Sequence, residues 1–439
     1  MYGILQFTNK SRVNVTGIPF QSYQPLGDKQ IIVHSKKNYH IDMWAKINEK
    51  TFELIELIGP ICDYETEIAV LRHVYHITCK YPKFEILPKT APKDAKCFDN
   101  AFTVDGPTTL DRDDAISVIP TKHGTDIAIH ITDLSVRFAC LDALSWAQQR
   151  ASSAYWETGT KPMLPPYLAH EELSLTKGGW YPCISLVLSY DTQQNLINTT
   201  LYKESNVYIK ENLNYEEFSE ARSLDFNYLQ KLSNETDHTD VIAWTMIQYN
   251  LYMAKMFGNV ILLRVQKESG TSAFYDYNEG SNESSNDSIH ASFNAVYTHM
   301  TSPIRRYVDF YNQCVVKGYN AGYNVPKLSK EALKTLNERM SEVSHFHYRE
   351  TIVSLAYKCK EKPMIVNALI TIRDDEKAIK IQSEQLSKAL WIPLHDSYYS
   401  EPICEQLDQN KGQFQKITLY GIHKNGKATL RITIDKQVV

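Results

Sequence analysis

Residues 101–119 read Ala-Phe-Thr-Val-Asp-Gly-Pro-Thr-Thr-Leu-Asp-Arg-Asp-Asp-Ala-Ile-Ser-Val-Ile, which sets four aspartates within ten positions: Asp105, Asp111, Asp113 and Asp114. Two carboxylates about 4 Å apart repel by roughly 4 kcal/mol at an effective dielectric near 20. Burial raises that cost unless protons or cations come between them. An all-oxygen donor set suits Mg²⁺ or Mn²⁺ rather than Zn²⁺. The bland alternative is a solvated acidic turn with Asx-type hydrogen bonds. It explains one such aspartate better than four inside an apolar frame. A calcium loop is excluded: counted from Asp111, the sixth position is Ile116 rather than Gly and the twelfth is Lys122 rather than Glu.

A second stretch, residues 297–309, reads Tyr-Thr-His-Met-Thr-Ser-Pro-Ile-Arg-Arg-Tyr-Val-Asp. Thr301 or Ser302 can cap a helix with Pro303 at its first position, which puts Arg305 and Arg306 in the first turn. Cations there oppose the helix dipole unless they meet an anion. A phosphate would be such an anion, and a planar guanidinium is its bidentate partner. The competing reading is an ion pair with Asp309, four and three residues further on.

Together the two stretches resemble the RNB domain, the catalytic domain of the ribonuclease II, ribonuclease R and exosome Dis3 family. The first carries that family's four aspartates. The second matches its Tyr-Thr-His-Phe-Thr-Ser-Pro-Ile-Arg-Arg-Tyr signature, with Met300 in place of Phe. Further matches follow in order over roughly residues 95–320: His130-Ile131-Thr132-Asp133-Leu134-Ser135, the run from Arg150 through Ser153 and Tyr155 to Pro162-Met163-Leu164-Pro165, and Leu213-Asn214-Tyr215-Glu216-Glu217.

The resemblance implies a hydrolytic 3′→5′ exoribonuclease that degrades single-stranded RNA to nucleoside 5′-monophosphates with two Mg²⁺ ions, Mn²⁺ being a possible substitute. It implies Asp105 and Asp114 as the first metal ligands and Asp111 as a ligand to the same or a second ion. Asp113 would orient or deprotonate the attacking water, or hold the second ion. Arg305, and with it Arg306, would neutralise charge growing on the scissile phosphate. Tyr155, Tyr215, Tyr297, His299, Thr301 and Ser302 are the expected RNA contacts, with Tyr155 stacked on the 3′-terminal base. A glutamate contacting the nucleotide end falls on Glu342 or Glu350. One departure stands out: where the family has Glu-Glu shortly before the methionine matching Met246, this chain has Ala243-Trp244. A catalytically weakened RNA-binding protein on the same fold is the alternative.

The whole composition is globular, with 439 residues, 43% hydrophobic and 22% charged. Eight cysteines are scattered without a Cys-x-x-Cys pair, which argues against zinc and for a reducing, cytoplasmic compartment. No secretory leader is read at the start, and no apolar run long enough for a membrane span occurs. A monomer is expected. The formal charge of −4 does not advertise nucleic-acid binding, so any RNA path must come from local positive patches.

Elements that position these residues follow from periodicity. Phe102 and Val104 before the acids, and Ile116 and Val118 after them, predict a strand, an irregular loop at Gly106-Pro107 and a second strand. Asp126–Ile131 reads as a buried strand, with His130 a satisfied core histidine and Asp133 structural. Ile184–Tyr190 and Leu196–Lys203 form a hairpin. Asp142–Ala154, Val241–Phe257, Pro303–Lys317 and residues 330–360 read as helices, with Leu333, Leu336, Met340 and Val343 on one face of the last. Residues 1–88 carry short strands at 3–7, 13–16, 30–33, 39–44 and 51–58, then a helix Tyr64–His76. They suggest a cold-shock-like OB barrel whose Tyr2, Phe7, Phe20, Tyr23, His34, Tyr39 and Trp44, among Lys10, Arg12, Lys29, Lys36 and Lys37, offer stacking surfaces. Pro88–Lys96 reads as a linker, and the polar segment 279–288 as a mobile loop. Five strands over 363–439 suggest an S1-like OB barrel. The expected architecture is thus α+β: an RNB catalytic domain at 89–362, a mixed sheet with helices, flanked by OB-type β-barrels at 1–88 and 363–439.

Overall fold

The alternating residues on either side of the four acids become strands of one closed barrel. The computed structural model describes residues 1–6, 12–13, 19–26, 30–34, 41–78, 80–138, 142–268, 272–278, 289–321, 325–372, 378–386, 389–393, 414–424 and 426–434. In it the strands Trp180–Asp191, Leu196–Asn214, Lys96–Asp105, Asp114–Thr121 and Gly124–Thr132 close on themselves in that order. Leu196–Asn214 runs parallel to Lys96–Asp105, and the barrel's other neighbouring strands pair antiparallel, so the sheet is mixed.

The two-residue period sorts the strands' side chains. Phe102, Val104, Ile116, Val118, Ile127, Ile129, Ile131, Ile184, Leu186 and Leu188 join one core with Phe218, Phe226, Val241 and Met253 of the helices Tyr215–Ala221, Ser223–Ser233 and His238–Phe257. The opposite face carries small or compact residues, among them Ala101, Ala115, Ala128, Cys183 and Val207. His130 lies on that face, fully buried. It bonds Ser117 Oγ at 3.0 Å and Ser185 Oγ at 2.7 Å, and Ser185 Oγ meets Ser205 Oγ at 2.6 Å. Burial pushes its pKa down to about 3. This neutral, satisfied core histidine is the role expected of it. The expected hairpin forms as well, with Asp191 accepting from the amides of Gln193 and Asn195 across the turn.

The chain divides into two compact units: residues 80–155 with 160–343, and residues 1–79 with 156–159 and 344–439. The first unit holds the closed barrel and its helices. Its second core gathers Leu144, Leu164, Tyr307, Phe310 and Tyr311 around Leu333 and Leu336 of the helix Lys330–Glu361. The expected linker Pro88–Lys96 is tied into this unit: Lys89 Nζ donates to the Glu171 carbonyl at 3.4 Å and lies 3.8 Å from Glu172 Oε2.

In the other unit, the five C-terminal strands appear where periodicity put them, ordered Leu390–Pro393, Ala378–Gln382, Met364–Ile372, Phe414–Lys424, Lys427–Ile434. Gly421 lies so close to the long helix that a Cβ there would sit 1.6 Å from the Ala356 carbonyl. The N-terminal sheet contains a strand not expected, Pro19–Pro25, which pairs with Tyr2–Gln6 and Ile31–His34. Prolines at both ends hid it, but a strand's first residue tolerates one. Tyr23 and Trp44, proposed as base-stacking surfaces, are core: both are buried, and the Tyr23 hydroxyl donates to the Met1 and Ala45 carbonyls. Phe7, Lys10, Lys29, Lys36, Lys37 and Tyr39, the side chains of Arg12 and Phe20, and the segment 279–288 lie outside the described residues.

Candidate active site

Asp105 ends one barrel strand and Asp114 begins another, so the pair is fixed by backbone. Asp105 stands opposite Asn214, and Asp114 opposite Ile131. The loop between them is pinned residue by residue. Ser174 Oγ donates to the Leu110 carbonyl at 2.7 Å and accepts from the Arg112 amide at 3.1 Å. The Leu175 amide takes the Arg112 carbonyl, and the Thr132 amide takes that of Asp113. Asp111 and Asp113 therefore cannot swing out into solvent.

The four carboxylates are not equivalent. Asp111 Oδ2 accepts the Tyr155 hydroxyl at 2.5 Å. Asp113, 2% exposed, accepts the Ile304 amide on Oδ1 at 2.7 Å and Arg305 Nε on Oδ2 at 3.2 Å. Burial drives its pKa well above the ordinary carboxylate value, opposed by the Arg305 charge. Asp105 Oδ2 is buried and meets no hydrogen-bond donor; its nearest cation is Arg112 Nε at 3.9 Å. Burial pushes Asp105 up to about 6 against the pull of Arg112. Burial and the Asp105 charge push Asp114 up to about 7. Burial, opposed by its carboxylate neighbours, leaves Arg305 with a pKa above its usual value.

Does this donor set fit a divalent ion? Among the described residues no three His, Cys, Asp or Glu side chains form a set able to hold a metal by themselves. Mg²⁺, however, is commonly held by one or two carboxylates, completed by water and substrate phosphates. Asp105 and Asp114, crowded, desolvated and with one orphaned oxygen, fit that pattern. Asp111 and Asp113, expected as further ligands, already have protein partners on the oxygens named above. The residues fit a two-carboxylate site better than a four-acid one.

The second motif departs from its expected geometry. The helix begins at Tyr307 rather than Pro303. The backbone before it is committed elsewhere: Ile304 N–H to Asp113, the Arg305 carbonyl to the Ser153 amide and Tyr307 N–H to the Ala151 carbonyl. Arg305 and Arg306 thus sit in a turn before the helix and pair with different carboxylates. Arg305 also donates from Nη2 to Ser302 Oγ at 2.9 Å. Arg306 Nη2 pairs with Asp309 Oδ1 at 2.9 Å, and Asp309 is fully buried. Arg306, expected to act on the phosphate, takes the ion-pair role instead.

Tyr155, 37% exposed, is the most open of the expected RNA contacts among residues the site gathers. The helix meant to deliver it stops at Arg150, and Ala151 turns the chain with a left-handed φ of 61°. Tyr215 opens the helix that follows Asn214 and is half-buried; burial and the Asp105 and Asp114 charges raise its pKa. Tyr297, Thr301 and Ser302 are corrected: all three are buried. Asn250 Nδ2 donates to Tyr297 Oη at 3.1 Å and Thr301 Oγ1 at 3.4 Å, and Asn250 Oδ1 accepts the Met300 amide at 2.9 Å. These residues brace the turn instead of lining a path. Asn250 and Ser174 were missed. Asn250 was visible as the polar residue in Tyr-Asn-Leu within an apolar helix; Ser174 gave no signal. Glu342 pairs with Arg339 at 2.6 Å. Glu350 belongs to the other unit, where it accepts the Glu157 amide at 2.9 Å and the Tyr64 hydroxyl at 3.4 Å.

Residues 98–251 match the model of the RNB domain, which bears out the resemblance. The DIS3-like exonuclease 2 of Xenopus tropicalis is 35% identical over 123 residues, 22% of this chain but 15% of its own length. The fold is shared along nearly the whole chain with Mycoplasma genitalium RNase R, solved with ribose-methylated single-stranded RNA. That match has a TM-score of 0.66 and 14% identity, and covers 99% of this chain and 100% of the other. Yeast Ssd1, described as a pseudonuclease, matches with a TM-score of 0.70 and 13% identity, covering 98% of this chain and 83% of the other. The fold class is thus α+β, an RNB domain with OB domains.

Proposed function

We propose that this chain is a hydrolytic 3′→5′ exoribonuclease acting on single-stranded RNA with a divalent ion, Mg²⁺ or Mn²⁺. The observation that carries this reading is the half-buried Asp105–Asp114 pair, with one buried, orphaned carboxylate oxygen, in the same cluster as Arg305. Asp105 and Asp114 would hold the ion, which supplies a Lewis acid at the scissile phosphate and a more acidic bound water. Asp113 fixes Arg305 by its Nε and Ser302 by its Nη2, leaving Nη1 to neutralise charge on the scissile phosphate. Tyr155, tethered to Asp111, presents its half-open ring to the terminal base, an interaction tolerant of sequence. Release of nucleoside 5′-monophosphates follows when water attacks the phosphorus of the last phosphodiester opposite the 3′ oxygen of the preceding ribose: the P–O3′ bond breaks, that oxygen leaves as the new 3′ hydroxyl, and the phosphate stays on the 5′ oxygen of the released nucleoside.

A second reading is a catalytically weakened RNA-binding protein, favoured by Ala243-Trp244 in place of an acidic pair. Digestion of end-labelled single-stranded RNA separates the two. Stepwise loss from the 3′ end with mononucleotide products supports the enzyme. Binding without cleavage supports the second reading, and internal fragments contradict both.

A further inference from the structure

A second cationic site stands apart from the acids. Arg264 lies on the strand Leu263–Val265, directly across from Tyr275 on the strand Phe274–Asp276. Its Nη1 donates to the Tyr275 hydroxyl at 3.3 Å, and among the described residues it meets no carboxylate. Around it are His290, His299 and Arg306, with Asp309 as the balancing acid. Asp309 is already paired with Arg306, so the charge of Arg264 is left over.

The hydrogen bonds fix a direction. A guanidinium can only donate, so the Tyr275 hydroxyl accepts from Arg264 and gives its single proton to His299 Nδ1, 2.6 Å away. Burial and the charges of Arg306 and Arg264 hold His299 neutral. The proton of the neutral ring then sits on Nε2, which has no partner in the structure. His290, 6% exposed, likewise leaves Nδ1 without a partner. An uncompensated guanidinium and an imidazole N–H, linked through one tyrosine hydroxyl, are donors suited to an anion with two or more oxygens.

We propose that Arg264 and His299 Nε2–H, aligned by Tyr275, bind a phosphodiester of the RNA strand other than the scissile one. Arg305 and Arg306 support this assignment by geometry. They are chain neighbours paired with different carboxylates, Arg305 with Asp113 and Arg306 with Asp309, and it is Arg306 that, with Arg264, lies near enough to Tyr275 and His299 to act on their charge. The proposal rests on the reading of the chain as an RNA-processing protein.

The test measures binding of a single-stranded oligoribonucleotide to the full chain in EDTA, across a salt series. The parent is compared with Arg264→Gln and Arg264→Lys. Each phosphate neutralised contributes about 0.7 to the slope of log K against log salt for a single strand. Arg264→Gln is expected to flatten the slope by about 0.7 and to weaken low-salt binding about tenfold. Arg264→Lys keeps the charge and should restore the slope, which separates a lost phosphate contact from a damaged fold. An unchanged slope in Arg264→Gln overturns the proposal. So does weaker binding of a nucleoside 5′-monophosphate with the oligonucleotide slope intact, because the site would then take released product. A parent chain that binds RNA but does not cut it once Mg²⁺ or Mn²⁺ is added back overturns the proposed activity alone. A parent that binds no RNA overturns both.

Discussion

Arg305 and Arg306 are the clearest case of neighbouring residues with different work. Arg305 spends Nε on Asp113 and Nη2 on Ser302, so its plane is set before any phosphate arrives. Lysine has no such fork, and Arg305→Lys should lower single-turnover hydrolysis by about 10²-fold or more with RNA binding largely kept; near-parent rates would place Arg305 outside the chemistry. Asp113→Asn should have a comparable effect, because the amide keeps the Ile304 contact but not the charge that holds the arginine. The acid pair also makes a claim about pH. Asp105 and Asp114 titrate near 6 and 7 in the folded chain, above the ordinary 3.8. The folded state therefore holds protons that the unfolded state has already released. Their contribution to stability is present below about pH 4 and is lost as pH rises through 6 to 7. Asp114→Asn should accordingly raise the melting temperature of EDTA-treated protein at pH 8 and change it little at pH 4. Equal effects at both values would mean that the pair is not desolvated as described.

At the scale of elements, the segment 301–309 is held from three sides, by Asn250, Asp113 and Asp309. Removing Asp309 leaves Arg306 with no carboxylate and the Ser302 amide without its acceptor. Asp309→Ala should destabilise the fold by about 3–5 kcal/mol, read as a fall in the denaturant midpoint; a shift under 1 kcal/mol would return the pair to the rank of an ordinary surface bridge. This segment also shows where sequence reasoning stopped. Ser302 followed by Pro303 is a good local helix start, and the expectation of a helix from Pro303 was sound on local grounds. It failed because the Ile304 amide goes to Asp113, the Arg305 carbonyl to the Ser153 amide and the Tyr307 amide to the Ala151 carbonyl, all partners far away along the chain. The barrel strands were legible because their alternation is strict: Phe102, Val104, Ile116 and Val118 each face one core. Pro19–Pro25 was not, since its prolines mimic loop punctuation. Which of Tyr297, Thr301 and Ser302 would be buried was hidden as well, because Asn250 lies about fifty residues upstream.

For the whole molecule, the net charge of −4 does not advertise RNA binding, but a sum conceals how the charges are distributed. Four of the acids are gathered in one cluster, while Arg264 stands without a carboxylate, so the local charge pattern differs from the sum. The RNB resemblance was legible because its motifs recur in order along the barrel and the turn after it; the fold of the terminal segments rested on strand count alone. Catalytic competence turns on whether the Asp105–Asp114 pair takes up a divalent ion. The direct measurement is mononucleotide release from 3′-labelled single-stranded RNA by chelated protein as free Mg²⁺ is titrated back, with Asp114→Asn run alongside. The account predicts no release in EDTA, recovery with Mg²⁺ or Mn²⁺, and no recovery in the variant. Release that survives chelation, or a variant as active as its parent, would contradict it.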